Sequence, residues 1–104
     1  MIYLASPYSD PDPAVRERRF NAVCEVAAAM FRTGAMVFSP IAYSYPIARC
    51  GRDWHWETWA EFDRRMIDAC DLVLVLRLDG WQESKGIAAE VEYARRTGKP
   101  VRWL

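Results

Sequence analysis

The sequence predicts an α/β fold with a small parallel sheet, and two observations carry that prediction. Residues 72–76 form a continuous apolar run with β-branched members, typical of a parallel strand that is buried on both faces. The segment 84–98 then reads as a helix, because Ser84 can cap its start and Gly98, followed by Lys99–Pro100, can end it. A strand, a helix and a further strand imply a right-handed parallel crossover.

The remaining elements follow along the chain. Residues 2–5 predict a first buried strand, and prolines keep the next loop out of helix. Asp12–Pro13 suits the N-cap and first position of a helix that ends at Gly34. Residues 36–38 predict the second strand and residues 101–103 the last one. These segments give a sheet of four to five strands.

Residues 41–54 are the least regular part of the pattern. Pro46 and other turn-forming residues disfavour a long element there, so we expect an irregular lid or wall, followed by a helix that leads to the buried strand. Loops at the carboxyl ends of parallel strands face the ligand. We therefore expect the ligand to lie among residues 6–12, 39–53 and 78–84.

Composition limits the class of protein. A chain of 104 residues makes one domain, residues 1–104. Basic and acidic residues number 14 each, which disfavours a nucleic-acid polymer as partner. The three cysteines lack metal-site or disulfide spacing, so we expect no metal site and no disulfide framework. No leader pattern and no membrane-length apolar run is present, which predicts a cytoplasmic protein without membrane contact.

The apolar content predicts self-association. Hydrophobic residues make up 52% of the chain and five residues are Trp, which is more apolar surface than one small core covers. We therefore expect a homodimer or homotetramer.

Glu90 stands out in the predicted helix. Ile87, Val91 and Ala94 have the spacing of a face that packs on the sheet, and Glu90 lies outside that face. Glu90 is within about two turns of the positive end of the helix dipole, which favours an ionised carboxylate. Gly86 and the two alanines after Ile87 project little, so a flat ligand can approach. The spacing leaves open an alternative, a solvated glutamate on an amphipathic helix.

The segment 84–94, SKGIAAEVEYA, resembles the helix of the nucleoside 2-deoxyribosyltransferase-like superfamily, in which the glutamate of a G-x-x-x-E-hydrophobic-x-Y-A pattern attacks the sugar. Tyr3, Asp63 and the segment 98–101 agree with the same pattern, so the resemblance spans most of the chain. The chain is also similar to a subgroup of small bacterial and phage proteins of unknown function, the DUF1937 type. The resemblance implies a flavodoxin/Rossmann-like three-layer sandwich.

The resemblance implies an enzyme that cleaves the N-glycosidic bond of a nucleoside or nucleoside 5′-monophosphate, by hydrolysis or by transfer, without a cofactor. Glu90 would be the nucleophile, Asp63 the acid/base or base-orienting group, and Tyr3 the hydroxyl that positions Glu90. One carboxylate attacks or stabilises the sugar carbon and a second acid group handles the proton of the base. The residues also fit plainer roles: Asp63 as an exposed helix residue and Tyr3 as a core aromatic. The alternative function is a non-catalytic nucleotide-binding or sensing module with the same pocket.

Ser84 distinguishes two substrate classes within the resemblance. The transferases usually have Asp here, which touches the sugar, whereas the 2′-deoxynucleoside 5′-monophosphate N-glycosidases have Ser, which touches the phosphate. The free amides of Lys85 and Gly86 at a helix start also suit an anion on physical grounds. A plain N-cap is the other role open to Ser84, and both roles are compatible. The other candidates for substrate binding are Ser6, Tyr8 and Trp81.

Overall fold

The computed structural model describes residues 1–51 and 56–104, without the side chain of Trp56. These residues form four strands, four α-helices and one 3-10 turn. They are β1 (Ile2–Ala5), α1 (Pro13–Arg32), β2 (Val37–Phe38), α2 (Pro40–Ala48), α3 (Trp56–Ala69), β3 (Leu72–Val75), a 3-10 turn (Trp81–Glu83), α4 (Lys85–Arg96) and β4 (Val101–Trp103).

The sheet is wholly parallel, with the strand order β2-β1-β3-β4. Strand β1 lies inside it and pairs Tyr3 with Phe38 of β2 on one side and with Val73 of β3 on the other. The predicted sheet of four to five strands therefore has four strands in the described part of the chain. Because the strands are parallel, their carboxyl ends lie at one edge, and the loops that follow β1, β2 and β3 begin there.

The side chains of β1 alternate between two apolar layers. Tyr3 packs with Ile67 of α3 and Val91 of α4 on one face of the sheet. Leu4 packs with Val23 of α1 on the other face. This alternation is expected of a strand that is buried on both faces. The prediction of an α/β three-layer sandwich is confirmed.

The predicted ends of α1 and α4 are confirmed. The Asp12 side chain accepts a hydrogen bond from the Ala14 amide at 2.9 Å, and Pro13 is the first residue of α1. Gly34 and Gly98, with φ of 89° and 81°, follow the two helices. These left-handed conformations strain any residue with a Cβ, so glycine ends both helices with the least cost.

Helix α2 shows that the expectation of an irregular wall over residues 41–54 was wrong for its first half. Ser39 accepts a hydrogen bond from the Ala42 amide at 3.1 Å, and Pro40 supplies a helical φ at the first position. These two residues start a helix that the turn-forming composition of the segment concealed. Residues 52–54 lie outside the described part of the chain.

Packing also explains how α2 accommodates Pro46. Proline inside a helix removes a backbone hydrogen bond, but here it lies near the end of a helix of only nine residues. The Tyr45 ring stacks on Phe20 of α1 at 4.3 Å, and the Tyr43 ring stacks on Phe62 of α3 at 5.4 Å. Tertiary contacts of this kind supply most of the stability of a short helix.

No helix in the described ranges combines the length and the apolar character needed to cross a membrane.

Candidate active site

Two carboxylates share a cavity of about 220 Å³ between α3 and α4. Asp63 lies in the middle of α3, and Glu90 lies in the second turn of α4. Gly86 lies in the wall at the start of α4, and Trp59 lies in the wall near the start of α3. The two helices flank β3 in sequence and pack on the same face of the sheet, which brings the carboxylates together although they are distant in the chain.

Tyr3 lies beneath this cavity rather than in its wall. It is fully buried on β1, and burial raises the pKa of its hydroxyl, as do the negative charges of Glu90 and Asp63. Tyr3 Oη and Glu90 Oε2 are both buried, and neither has a well-formed hydrogen bond to a described residue. The three residues predicted as catalytic are therefore neighbours. Tyr3 also has its alternative role as a core aromatic, because its ring packs in the apolar core while its hydroxyl lies beside Glu90.

The electrostatics of the two carboxyls differ. Burial raises the pKa of Glu90 to about 8, the Tyr3 hydroxyl opposes that rise, and the charge of Asp63 adds to it. Burial also raises the pKa of Asp63, to about 6. Between these values the pair holds one proton, which the two carboxyls share.

Gly86 leaves space in front of the Glu90 carboxylate. A Cβ at position 86 would lie 3.5 Å from Glu90 Oε1 and 3.8 Å from Ser84 Oγ. The two oxygens therefore border the same small space, and any larger side chain at position 86 would occupy it. This agrees with the prediction that small residues at the start of α4 allow a close approach.

Ser84 is the N-cap of α4, as predicted. Its Oγ accepts a hydrogen bond from the Ile87 amide at 3.2 Å, which leaves the hydroxyl hydrogen to donate elsewhere. Within the described residues, the amides of Lys85 and Gly86 donate no hydrogen bond. The helix start thus presents three donors in one region.

Three predicted substrate-binding residues lie away from the carboxylates. The Lys85 side chain is exposed and is not part of the cavity wall. Trp81 lines an open groove of about 670 Å³ that Ser84 also lines, and its ring lies 5.6 Å from the Trp103 ring of β4. Tyr8 is half-buried against the Tyr45 ring at 5.8 Å. Trp81 and Tyr8 each pack on an aromatic residue outside the cavity wall, and the role of these three residues in substrate binding stays a prediction.

Ser6 also lies outside the wall of the carboxylate cavity. It follows β1 directly, at the carboxyl edge of the sheet, and is only 4% exposed. Its Oγ has no hydrogen-bond partner among the described residues. A buried hydroxyl of this kind requires a partner from solvent or from a ligand.

Sequence reasoning missed part of the cavity wall. Arg64, Tyr93 and Arg96 also line it, and the Tyr93 hydroxyl donates to the Asp68 carboxylate at 2.8 Å. Tyr93 follows Glu90 by three residues and is the Tyr of the family pattern, and Arg96 follows Tyr93 by three, so this spacing along α4 was the signal that could have found them. Within the described ranges, no group of three or more metal-ligating side chains is assembled here or elsewhere.

The comparisons with known proteins concern the whole chain. No curated protein matches it. A family model described as "Domain of unknown function (DUF1937)" matches residues 1–104. The resemblance to the DUF1937 type is thereby confirmed, and the wider resemblance to the nucleoside 2-deoxyribosyltransferase-like superfamily stays a prediction. This family model covers every residue of the sequence, and the chain therefore belongs to the DUF1937 family.

Proposed function

We propose that the protein cleaves the N-glycosidic bond of a nucleoside or nucleoside 5′-monophosphate, by hydrolysis or by transfer to a second base. The observation that carries the proposal is the pair Glu90 and Asp63 in one cavity, with the Tyr3 hydroxyl beneath it. At about 220 Å³ the cavity is smaller than the roughly 300–1,000 Å³ of sites for drug-sized ligands. This size suits a sugar ring whose base and 5′ group extend outside.

The chemistry needs only the two carboxyls and water. The Glu90 carboxylate attacks C1′ of the sugar, the C–N bond breaks, and its electron pair leaves with the base while Asp63 gives the base a proton. This step leaves the sugar esterified to Glu90. Water then attacks C1′, Asp63 takes the proton of that water, and the ester bond breaks to restore the Glu90 carboxylate. A second base in place of water completes a transfer.

The shared proton of the carboxyl pair is compatible with these reaction steps. Near neutral pH the two carboxyls share one proton, and attack requires that proton on Asp63 with Glu90 ionised. Moving the proton within the pair leaves the total charge unchanged, so the reactive form is a tautomer of the resting form. Positive charge developing at C1′ stabilises ionised Glu90, and burial strengthens that attraction.

The first prediction is that the parent protein releases free base from at least one member of a panel of nucleosides and their 5′-monophosphates. Glu90→Gln should reduce that release by several orders of magnitude, because the amide cannot form the sugar ester. Chromatography of the free base measures both. The control is Glu17→Gln, since Glu17 is exposed on α1 and lies outside the cavity.

Two outcomes contradict parts of this assignment. Turnover by Glu90→Gln above about a hundredth of the parent rate would remove Glu90 as the nucleophile. Binding of a panel member without base release by the parent would favour the non-catalytic nucleotide-binding or sensing module.

The second prediction is a bell-shaped pH profile of kcat/KM with apparent pKa values near about 6 and about 8. Below the lower value both carboxyls are protonated and no nucleophile exists, and above the higher value both are ionised and no acid remains. Asp63→Asn should lose the falling limb, because the acid is gone. The measurement uses a nucleoside, since a phosphate monoester itself titrates near pH 6. A profile that stays flat from about pH 5 to pH 9 would contradict the assignment.

The third prediction concerns the start of α4, which we propose as the phosphate site. A 5′-monophosphate should bind more tightly than its nucleoside, because bonds from Ser84 and the Lys85 and Gly86 amides to a charged group are worth roughly 1.5–3 kcal/mol each. Ser84→Ala should narrow that preference with little change in nucleoside affinity. Ser84→Asp should reverse it, because a carboxylate repels phosphate.

The matched control for Ser84 is Ser39→Ala. Ser39 caps α2 by the same kind of bond, so its loss costs a similar amount of stability, about 1 kcal/mol, without touching α4. Calorimetric titration of one nucleoside and its monophosphate decides between the roles. Equal affinity for the two ligands in the parent would return Ser84 to the role of a simple N-cap.

The fourth prediction is a homodimer or homotetramer, acting in the cytoplasm as the sequence predicts. Trp103 and Leu104 at the sheet edge remain 42% and 51% exposed, which is apolar surface available for association. Sedimentation equilibrium should show a species larger than the monomer at micromolar concentration. Monomer alone would contradict the proposal.

A further inference from the structure

Arg19 of α1 joins two loops at the carboxyl edge of the sheet. Its Nη1 donates to the carbonyl oxygen of Tyr8 at 3.3 Å and to that of Ser9 at 2.9 Å. Its Nη2 donates to the carbonyl oxygen of Asp79 at 3.1 Å. The first two oxygens belong to the loop after β1 and the third belongs to the loop after β3. Because the guanidinium is planar with donors in fixed directions, these bonds set the distance and orientation between the loops.

The backbone itself does not hold the two loops together. The sheet bond from Leu76 N to Ala5 O, at 2.8 Å, is the last one before the strands separate. Within the described part of the chain, no backbone hydrogen bond joins residues 6–12 to residues 77–84. The first of these loops contains Ser6, and the second ends at Ser84, the cap of α4.

Gly80 provides the space for the guanidinium. A Cβ at position 80 would lie 2.5 Å from Arg19 Nη2, too close for either group to stay in place. Gly80 also has φ of 86°, which favours glycine for a separate reason. Gly34 has the backbone strain without the steric contact, because its φ is 89° and a Cβ there would meet no atom within 4 Å.

We propose that Arg19 is a positioning residue of the candidate site. It holds the loop that contains Ser6 and Tyr8 at a fixed distance from the loop that leads to Ser84. Arg19 does not touch the substrate; it acts through the backbone of both loops. Its effect on turnover rests on the proposed function, whereas its effect on the loops does not.

Amide hydrogen exchange tests the effect on the loops. The amides of Asp12, Leu78 and Trp81 are hydrogen-bonded within the two loops and report on their order. Arg19→Ala should accelerate exchange in both loops by about tenfold or more, the loss expected when bonds from a charged donor disappear. Arg18→Ala is the control, because Arg18 is exposed on the same helix and makes no hydrogen bond or ion pair with a described residue.

Arg19→Lys separates geometry from charge and keeps most of the side-chain stem. Lysine is shorter than arginine and lacks the fixed fork of donors that reaches both loops, so this variant should accelerate exchange nearly as much as Arg19→Ala. Parental exchange in Arg19→Lys would show that charge alone suffices and would overturn the proposal. So would acceleration confined to one loop in Arg19→Ala.

A double substitution tests the space at position 80. Gly80→Ala should displace the guanidinium and accelerate exchange in both loops of the parent, while adding much less in the Arg19→Ala background. Gly34→Ala has the same backbone strain without the steric contact and should accelerate neither loop. Equal effects of Gly80→Ala in the two backgrounds would contradict the proposed seat of Arg19.

Kinetics distinguishes failure of this proposal from failure of the proposed function. If the parent releases base, Arg19→Ala should raise KM and lower kcat together, and the pH profile should keep its two limbs, because the carboxyl pair is untouched. Loosened loops with unchanged KM and kcat would end the positioning role in turnover. If the parent releases no base from any panel member, the proposed function fails, and the exchange result still decides whether Arg19 holds the loops.

Discussion

The burial of Tyr3 in the interior of the sheet is the constraint on which the candidate site depends. Its strand is hydrogen-bonded on both sides, so the backbone of Tyr3 cannot shift without breaking the pairing with β2 and β3. Its ring is fixed by the core that also receives Ile67 and Val91, the residues that seat α3 and α4 on the sheet. The hydroxyl of Tyr3 is therefore held at one point, and the packing that fixes it also places the helices with Asp63 and Glu90 beside it.

The same burial sets the chemistry of the carboxyl pair. Near the surface both groups would ionise below pH 5 and would differ little from each other. In the cavity, desolvation raises both pKa values, and it raises that of Glu90 more than that of Asp63. The Tyr3 hydroxyl works against that rise because it favours the ionised carboxylate. One buried hydroxyl and one neighbouring carboxyl thus tune Glu90 in opposite directions, and the balance leaves the pair singly protonated near neutral pH.

Much of the fold could be predicted because its signals are local. Strand β3 is a continuous apolar run, and Asp12, Ser84 and Gly98 mark helix ends within a few residues. Helix α2 has a local start signal in Ser39 and Pro40, but the turn-forming residues after it obscured that signal. Its ring contacts with α1 and α3 join distant segments, so no local pattern contains them. The convergence of Glu90, Asp63 and Tyr3 was predicted only through the family resemblance. The role of Arg19 could not be predicted from the sequence. Its hydrogen bonds go to backbone carbonyl oxygens, which every residue has, so the accepting residues show no sequence pattern.

The buried polar atoms without a well-formed hydrogen bond carry a cost in stability. Ser6 Oγ is buried without a hydrogen-bond partner among the described residues, and Tyr3 Oη and Glu90 Oε2 are buried neighbours that lack a well-formed hydrogen bond to each other. A buried polar atom left unpaired costs about 1–3 kcal/mol, which is a sizeable part of the roughly 5–15 kcal/mol that stabilises a small domain. Alanine at position 6 would remove one of those costs. A ligand with several hydroxyl groups would satisfy such atoms, and its binding would then stabilise the fold.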